Sequence, residues 1–93
     1  MIVEHEFIAG VGVRVWAHIY DGIALYDPDS ITIDIYDPTP EKQVDAQAMT
    51  QSETGIYYYV FDTSDADTGW WLARVTATEG GEPSGGTTAF EVN

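Results

Sequence analysis

The side chains best placed for chemistry in this sequence are two histidines, His5 and His18, and three aspartates, Asp62, Asp65 and Asp67. A histidine beside a serine and a carboxylate can activate a nucleophile, and two histidines on one strand or helix face can hold a metal ion. The spacing of His5 and His18 fits neither arrangement, and His18 falls on the polar side of an alternating stretch, where a solvent-facing structural residue is expected. Asp62, Asp65 and Asp67 share one loop, and clustered carboxylate oxygens suit a hard cation such as calcium. That loop lacks the glycine and closing glutamate of an EF-hand, and aspartates also nucleate turns through their own backbone, so these three are calcium candidates on composition alone. Gly80-Gly81 and Gly85-Gly86 precede no helix and read as turn residues rather than a phosphate cradle. No catalytic site, resident metal or cofactor is expected, and the chain reads as a non-enzyme that binds or builds.

The composition narrows the partners. The chain has 93 residues with 16 Asp plus Glu against 3 Lys plus Arg, a net charge of −13, and no cysteine. Only Arg14, Lys42 and Arg74 are available to neutralise phosphates, which argues against nucleic acid and anionic membrane surfaces. The absence of cysteine excludes disulfides, thiolate metal sites and a cysteine nucleophile. A hydrophobic fraction of 44% is too high for an acidic disordered tail, so one folded domain over residues 1–93 is expected, held by its core alone. The acidic start, Met1-Ile2-Val3-Glu4-His5-Glu6, does not resemble a secretory signal, and no apolar run approaches the ~20 residues of a membrane span. Such charge suits concentrated salt, an acidic exterior coat or a basic partner, and its self-repulsion costs stability at low salt.

The elements that would position these residues are strands, because the apolar pattern repeats at two. Val11, Val13, Val15, Ala17 and Ile19 define one face of a strand, with Arg14, Trp16, His18 and Tyr20 on the other. Ile31, Ile33 and Ile35 alternate with Thr32 and Asp34 until Pro38 and Pro40 stop the ladder. Residues 41–54 predict a short strand and a loop. Strands follow over Gly55–Phe61, Trp70–Thr78 and Thr87–Val92, with a flexible turn over Glu79–Gly86. With Ile2–Ile8 this makes about seven strands, the spacing of a small antiparallel sandwich.

The segment Gly69-Trp70-Trp71-Leu72-Ala73-Arg74-Val75-Thr76-Ala77-Thr78 resembles the penultimate strand of immunoglobulin-like domains. The strands Ile31–Pro38 and Gly55–Phe61 and the closing Phe90-Glu91-Val92 extend the likeness over most of the chain. It is similar to the cysteine-free immunoglobulin-like modules of tailed-phage virions and bacterial surface proteins. The resemblance implies that Trp71, Ala73, Val75 and Ala77, and Tyr57, Tyr59 and Phe61, point inward. Trp16, Tyr58 and Val60 then face outward on one sheet, and Trp70 and Leu72 on the other beside Arg74, where they would serve as partner-binding residues.

The expected function is a virion structural protein of a tailed phage or archaeal virus. Such a protein would decorate a capsid or tail or fill a joint, docking on other virion proteins or on copies of itself as a homo-oligomer. The chain opens at Met1 and closes soon after its last strand, as a whole gene product would, and particles assembled in the cytoplasm need neither signal nor disulfide. The alternative is a cell-surface or secreted adhesion module that binds glycan or protein, or an accessory domain beside a hydrolase.

Overall fold

Apolar residues at every second position put one strand face against a core while the backbone pairs sideways, and that rule builds nearly the whole molecule. The computed structural model describes Met1–Asn93. Its strands in chain order are β1 (Ile2–Ile8), β2 (Gly12–His18), β3 (Tyr20–Asp21), β4 (Ala24–Leu25), β5 (Ser30–Tyr36), β6 (Lys42–Ala48), β7 (Thr50–Glu53), β8 (Ile56–Asp62), β9 (Gly69–Glu79) and β10 (Glu82–Val92), with no helix. One four-stranded sheet has the order β1-β2-β8-β7 and the other β10-β9-β5-β6, while β3 and β4 form a separate hairpin. Every pairing is antiparallel.

The inner faces of the two sheets share one core of 15 buried residues, a sandwich-like arrangement. Val13, Val15 and Ala17 of β2 and Tyr57 of β8 come from the first sheet; Ile31, Ile33 and Ile35 of β5, Trp71, Ala73, Val75 and Ala77 of β9 and Phe90 of β10 come from the second. Tyr59 and Phe61 are half-buried against this core, completing the inward set on β8. Trp71 stacks near Phe90 and Phe61, at centroid separations of 6.4 and 5.3 Å, and its Nε1–H donates to the Asp67 carbonyl at 2.8 Å.

Four stretches differ from the pattern read in the sequence. Val11 is not part of the inward valine face. It lies in the turn before β2, donating to the Ile8 carbonyl at 3.1 Å, and is 45% exposed. The strand starts at Gly12, whose φ of 146° and whose approach to Phe61 leave no room for a side chain: a Cβ there would lie 2.1 Å from the Phe61 carbonyl oxygen. Likewise Tyr20 has left β2 for the small hairpin.

Residues 41–54 make two strands, β6 and β7, that belong to different sheets with only Met49 between them. The alternation is hidden by a bulge opposite Asp34: Ala46 takes φ 47° and donates its N–H to Asp34 Oδ1 at 2.8 Å, which puts only Val44 and Met49 of this stretch into the core.

The turn expected over Glu79–Gly86 shrinks to Gly80-Gly81, and β10 begins at Glu82 opposite Glu79. Pro83 is accommodated because β10 is an edge strand. Gly86 is in the strand because β1 crosses over it, so that a Cβ would come 2.6 Å from Val3 Cγ2. The main sheets therefore hold eight strands, and the hairpin adds two.

The stop after β5 is chemical as well as steric. Asp37 Oδ1 accepts from the Thr39 hydroxyl at 2.6 Å and from the Thr39 and Glu41 amides at 2.9 Å each, and Oδ2 accepts from Gln43 Nε2 at 2.9 Å. These donors, the Thr39 hydroxyl first and the Glu41 amide next, hold the carboxyl down at about 2.

Candidate functional site

The residues singled out for docking divide between the outer faces of the two sheets. On the first, Trp16 of β2 sits directly opposite Tyr58 of β8, and Arg14 opposite Val60. The Trp16 and Tyr58 rings lie 5.3 Å apart, and the Arg14 guanidinium is 5.5 Å from the Trp16 centroid and 5.4 Å from that of Tyr58. Strand β1 supplies the acid: Glu6 Oε1 accepts from Trp16 Nε1 at 3.0 Å and from Arg14 Nη1 at 3.5 Å. Trp16, Tyr58 and Arg14 are each half-buried, and Val60 is 38% exposed at the border of the group. Cation–π contact of this kind contributes about 0.5–1 kcal/mol at partly exposed sites.

The second face is arranged differently. Trp70 of β9 is 62% exposed and Leu72 is 40% exposed. Leu72 is flanked by Tyr36 of β5 and Ala89 of β10, and Trp70 by Glu91. The Trp70 indole has no ring, cation or hydrogen-bond partner in the chain, and Arg74, four residues along β9 on the same face, forms no ion pair. Lys42, at the edge of this face, is otherwise occupied: its Nζ lies 5.7 Å from the Tyr36 ring centroid and 3.3 and 3.6 Å from Asp45 and Asp34. The hydrogen bond to Asp45 leads in raising its pKa above the ordinary lysine value. Tryptophan and arginine, here exposed and unpaired on one face, are among the residue types most enriched at binding hot spots.

The histidines are separated by the pleat of the first sheet. His5 points to the interior side, where Nδ1 lies 2.7 Å from Thr88 Oγ1 and the ring packs near Phe7 and Phe90, so it ties edge strand β1 to edge strand β10. His18 points outward, with Nε2 at 3.2 Å from Glu4 Oε1. Ser52 borders the same shallow groove as His18 and Glu4, without a hydrogen bond from its hydroxyl to the imidazole.

Asp62, Asp65 and Asp67 do not converge, and no group of three or more His, Cys, Asp or Glu side chains is arranged to hold a metal ion. Asp62 accepts the Ser64 amide at 2.8 Å, a turn contact that lowers its pKa. Asp67 contributes its backbone carbonyl to Trp71, and Asp65 lies beside Asp62, Gln43 and Phe61 on the rim of a shallow depression. The sequence did not single out Glu6 as the acceptor that engages Trp16, since β1 and β2 partners are fixed by register; nor did it mark Tyr36 as the neighbour of Leu72.

No helix is long and apolar enough to cross a membrane. No family model matches the chain, and comparison with curated proteins and solved structures finds no significant match.

Proposed function

We propose that the chain is an immunoglobulin-like structural domain of a virus particle, of the tailed-phage or archaeal kind, without enzymatic activity, which docks on neighbouring capsid or tail proteins through Trp70 and Leu72. The strand order supports the topology: β1-β2-β8-β7 corresponds to strands A-B-E-D, and β10-β9-β5 to G-F-C, with β6 as an added strand beside C. The observation that carries the docking role is the 62% exposure of Trp70 on an outer sheet face that also carries Leu72, Tyr36 and, four residues along β9, the unpaired Arg74. A cysteine-free fold stapled only by its core suits a particle built in a reducing cytoplasm and released by lysis. The same indole could stack on a sugar ring, which is the basis of the alternative, a cell-surface adhesion module.

The test is binding of the purified protein to isolated virion proteins and, in parallel, to cell-wall glycan, each with wild type and Trp70→Ala. Retention on capsid or tail protein that drops at least ~30-fold in the variant, the loss of about 2 kcal/mol typical of a hot spot, supports the reading. Retention on glycan alone supports the alternative, and binding indifferent to Trp70 overturns both.

A further inference from the structure

The last residues of β8 are covered by a strand on one side only. Strand β2 pairs with β8 from Ile56 to Asp62, but β7 pairs no further than Tyr58, and the chain before β7 leaves through Met49 for the other sheet. In an antiparallel pair the backbone groups of alternate residues point to alternate neighbours. The Ile19 amide donates to the Gly55 carbonyl at 2.8 Å, and the β2–β8 register runs on from there without a bulge, so Tyr57, Tyr59 and Phe61 bond to β2. Val60 and Asp62 therefore aim their N–H and C=O groups at the uncovered side.

Behind this edge the sandwich is open. Gln43 of β6, Phe61, Ala66 and Trp71 line a depression of about 220 Å³, with Asp62 and Asp65 also on its wall. Two carboxylates border it and no cation does. Lys42, next to Gln43, is held by Asp45, Asp34 and the Tyr36 ring on the outer face of its sheet. Asp65 is exposed and has no ion pair in the chain.

We propose that this edge takes an extended segment of a partner protein as an added strand, antiparallel to β8 and in line with β7, with a basic residue followed by an aliphatic one. Register dictates that order. Residues directly opposite share a face, so the residue against Phe61 points between the sheets and fills the depression with an apolar side chain. The residue before it lies against Asp62, where a Lys or Arg pairs with Asp62 and Asp65. The residue after it lies against Val60 and exchanges two backbone hydrogen bonds with it. Charge excludes a second copy here, since two such edges brought together would set Asp62 and Asp65 against their own kind. The chain's own basic-aliphatic pairs, Arg14-Val15 and Arg74-Val75, are locked in the central strands β2 and β9. The site includes neither Trp70 nor Leu72 and stands apart from the docking face.

The experiment is a titration of the isotope-labelled full chain with a capped tetrapeptide, threonine-arginine-isoleucine-valine, followed by amide and indole chemical shifts. Saturation with a Kd on the order of 1 mM is expected, as a few hydrogen bonds and one buried side chain provide, with shifts at Val60, Asp62, Asp65 and the Trp71 indole. Methylating the peptide's valine nitrogen removes the N–H that meets the Val60 carbonyl and should weaken binding about tenfold. Glutamate in place of the peptide's arginine should abolish binding, Asp65→Asn should weaken it about threefold, the size of an exposed ion pair, and Trp70→Ala should leave it unchanged. No saturation by about 10 mM peptide, shifts confined to another face, or equal binding of the methylated or the glutamate peptide overturns the proposal.

Discussion

On the outer face of β2 and β8 the Trp16 indole donates to Glu6 and lies against Tyr58 and Arg14, whereas on the outer face of β9 the Trp70 indole has no ring, cation or hydrogen-bond partner in the chain. Both tryptophans sit at outward positions of central strands, so alternation alone treats them alike. The difference comes from the neighbouring strand. Edge strand β1 brings a carboxylate to Trp16 and Arg14, while β10 sets only Ala89 and Glu91 beside Leu72 and Trp70. An outward aromatic is thus spent on the fold when a cation, acid or ring beside it engages its N–H or its face, and left for a partner when, as with Glu91 opposite Trp70, the neighbouring acid does not.

The adjacent residues Trp70 and Trp71 calibrate the comparison. Trp71→Ala should cost about 3–5 kcal/mol in denaturant unfolding, because it empties the space against Phe61 and Phe90; a smaller loss than for Trp70→Ala would invert the faces of β9. Acid should weaken the loop that borders the open face. Asp37 holds its proton less tightly folded than unfolded, with its pKa lowered from 3.8 to about 2, so its contribution is complete above pH about 4 and disappears as pH falls through 2. Asp37→Asn should be less stable than wild type at neutral pH, with the two melting temperatures converging between pH 4 and 2; a constant gap would show that the carboxylate charge is not what matters.

Trp16→Ala should cost about 1–2 kcal/mol of stability, through the lost Glu6 hydrogen bond and Arg14 contact, and leave partner binding unchanged. Trp70→Ala should show the opposite signature, with stability within about 0.5 kcal/mol of wild type and binding lost. Calorimetric melts and partner titrations of these two variants side by side decide the matter, since equal effects on both readouts would erase the distinction between the faces.

The strands with both neighbours in place were legible: in β2, β5, β8 and β9 every second side chain enters the core, and the inward set Trp71, Ala73, Val75 and Ala77 follows directly. Among the edge strands β1 was read at its observed bounds, Ile2–Ile8, but β6, β7 and the first half of β10 were not, because an edge buries too little to impose a period. In β6 only Val44 is buried and the Ala46 bulge shifts the register, while the first residues of β10, Glu82-Pro83-Ser84-Gly85-Gly86, have turn composition yet pair rung by rung with β9. The outward positions of the docking residues could be read, but not which were already engaged, since that depends on Glu6 facing Arg14 across a register no periodicity reveals. The β3–β4 hairpin, two residues per strand, was too short to leave any pattern.

The meeting of β1 and β10, closed by His5 with Thr88 and by Val3 over Gly86, also sets how the domain would carry load. Ile2 of β1 and Val92 of β10 lie at opposite ends of the sandwich, and the two strands run the same way along its length. Tension applied at those two points would pull along the strands, across hydrogen bonds that lie perpendicular to them. All seven rungs from Ile2↔His18 to Ile8↔Gly12 would then resist together, like a lap joint in shear, instead of opening one after another like a zip.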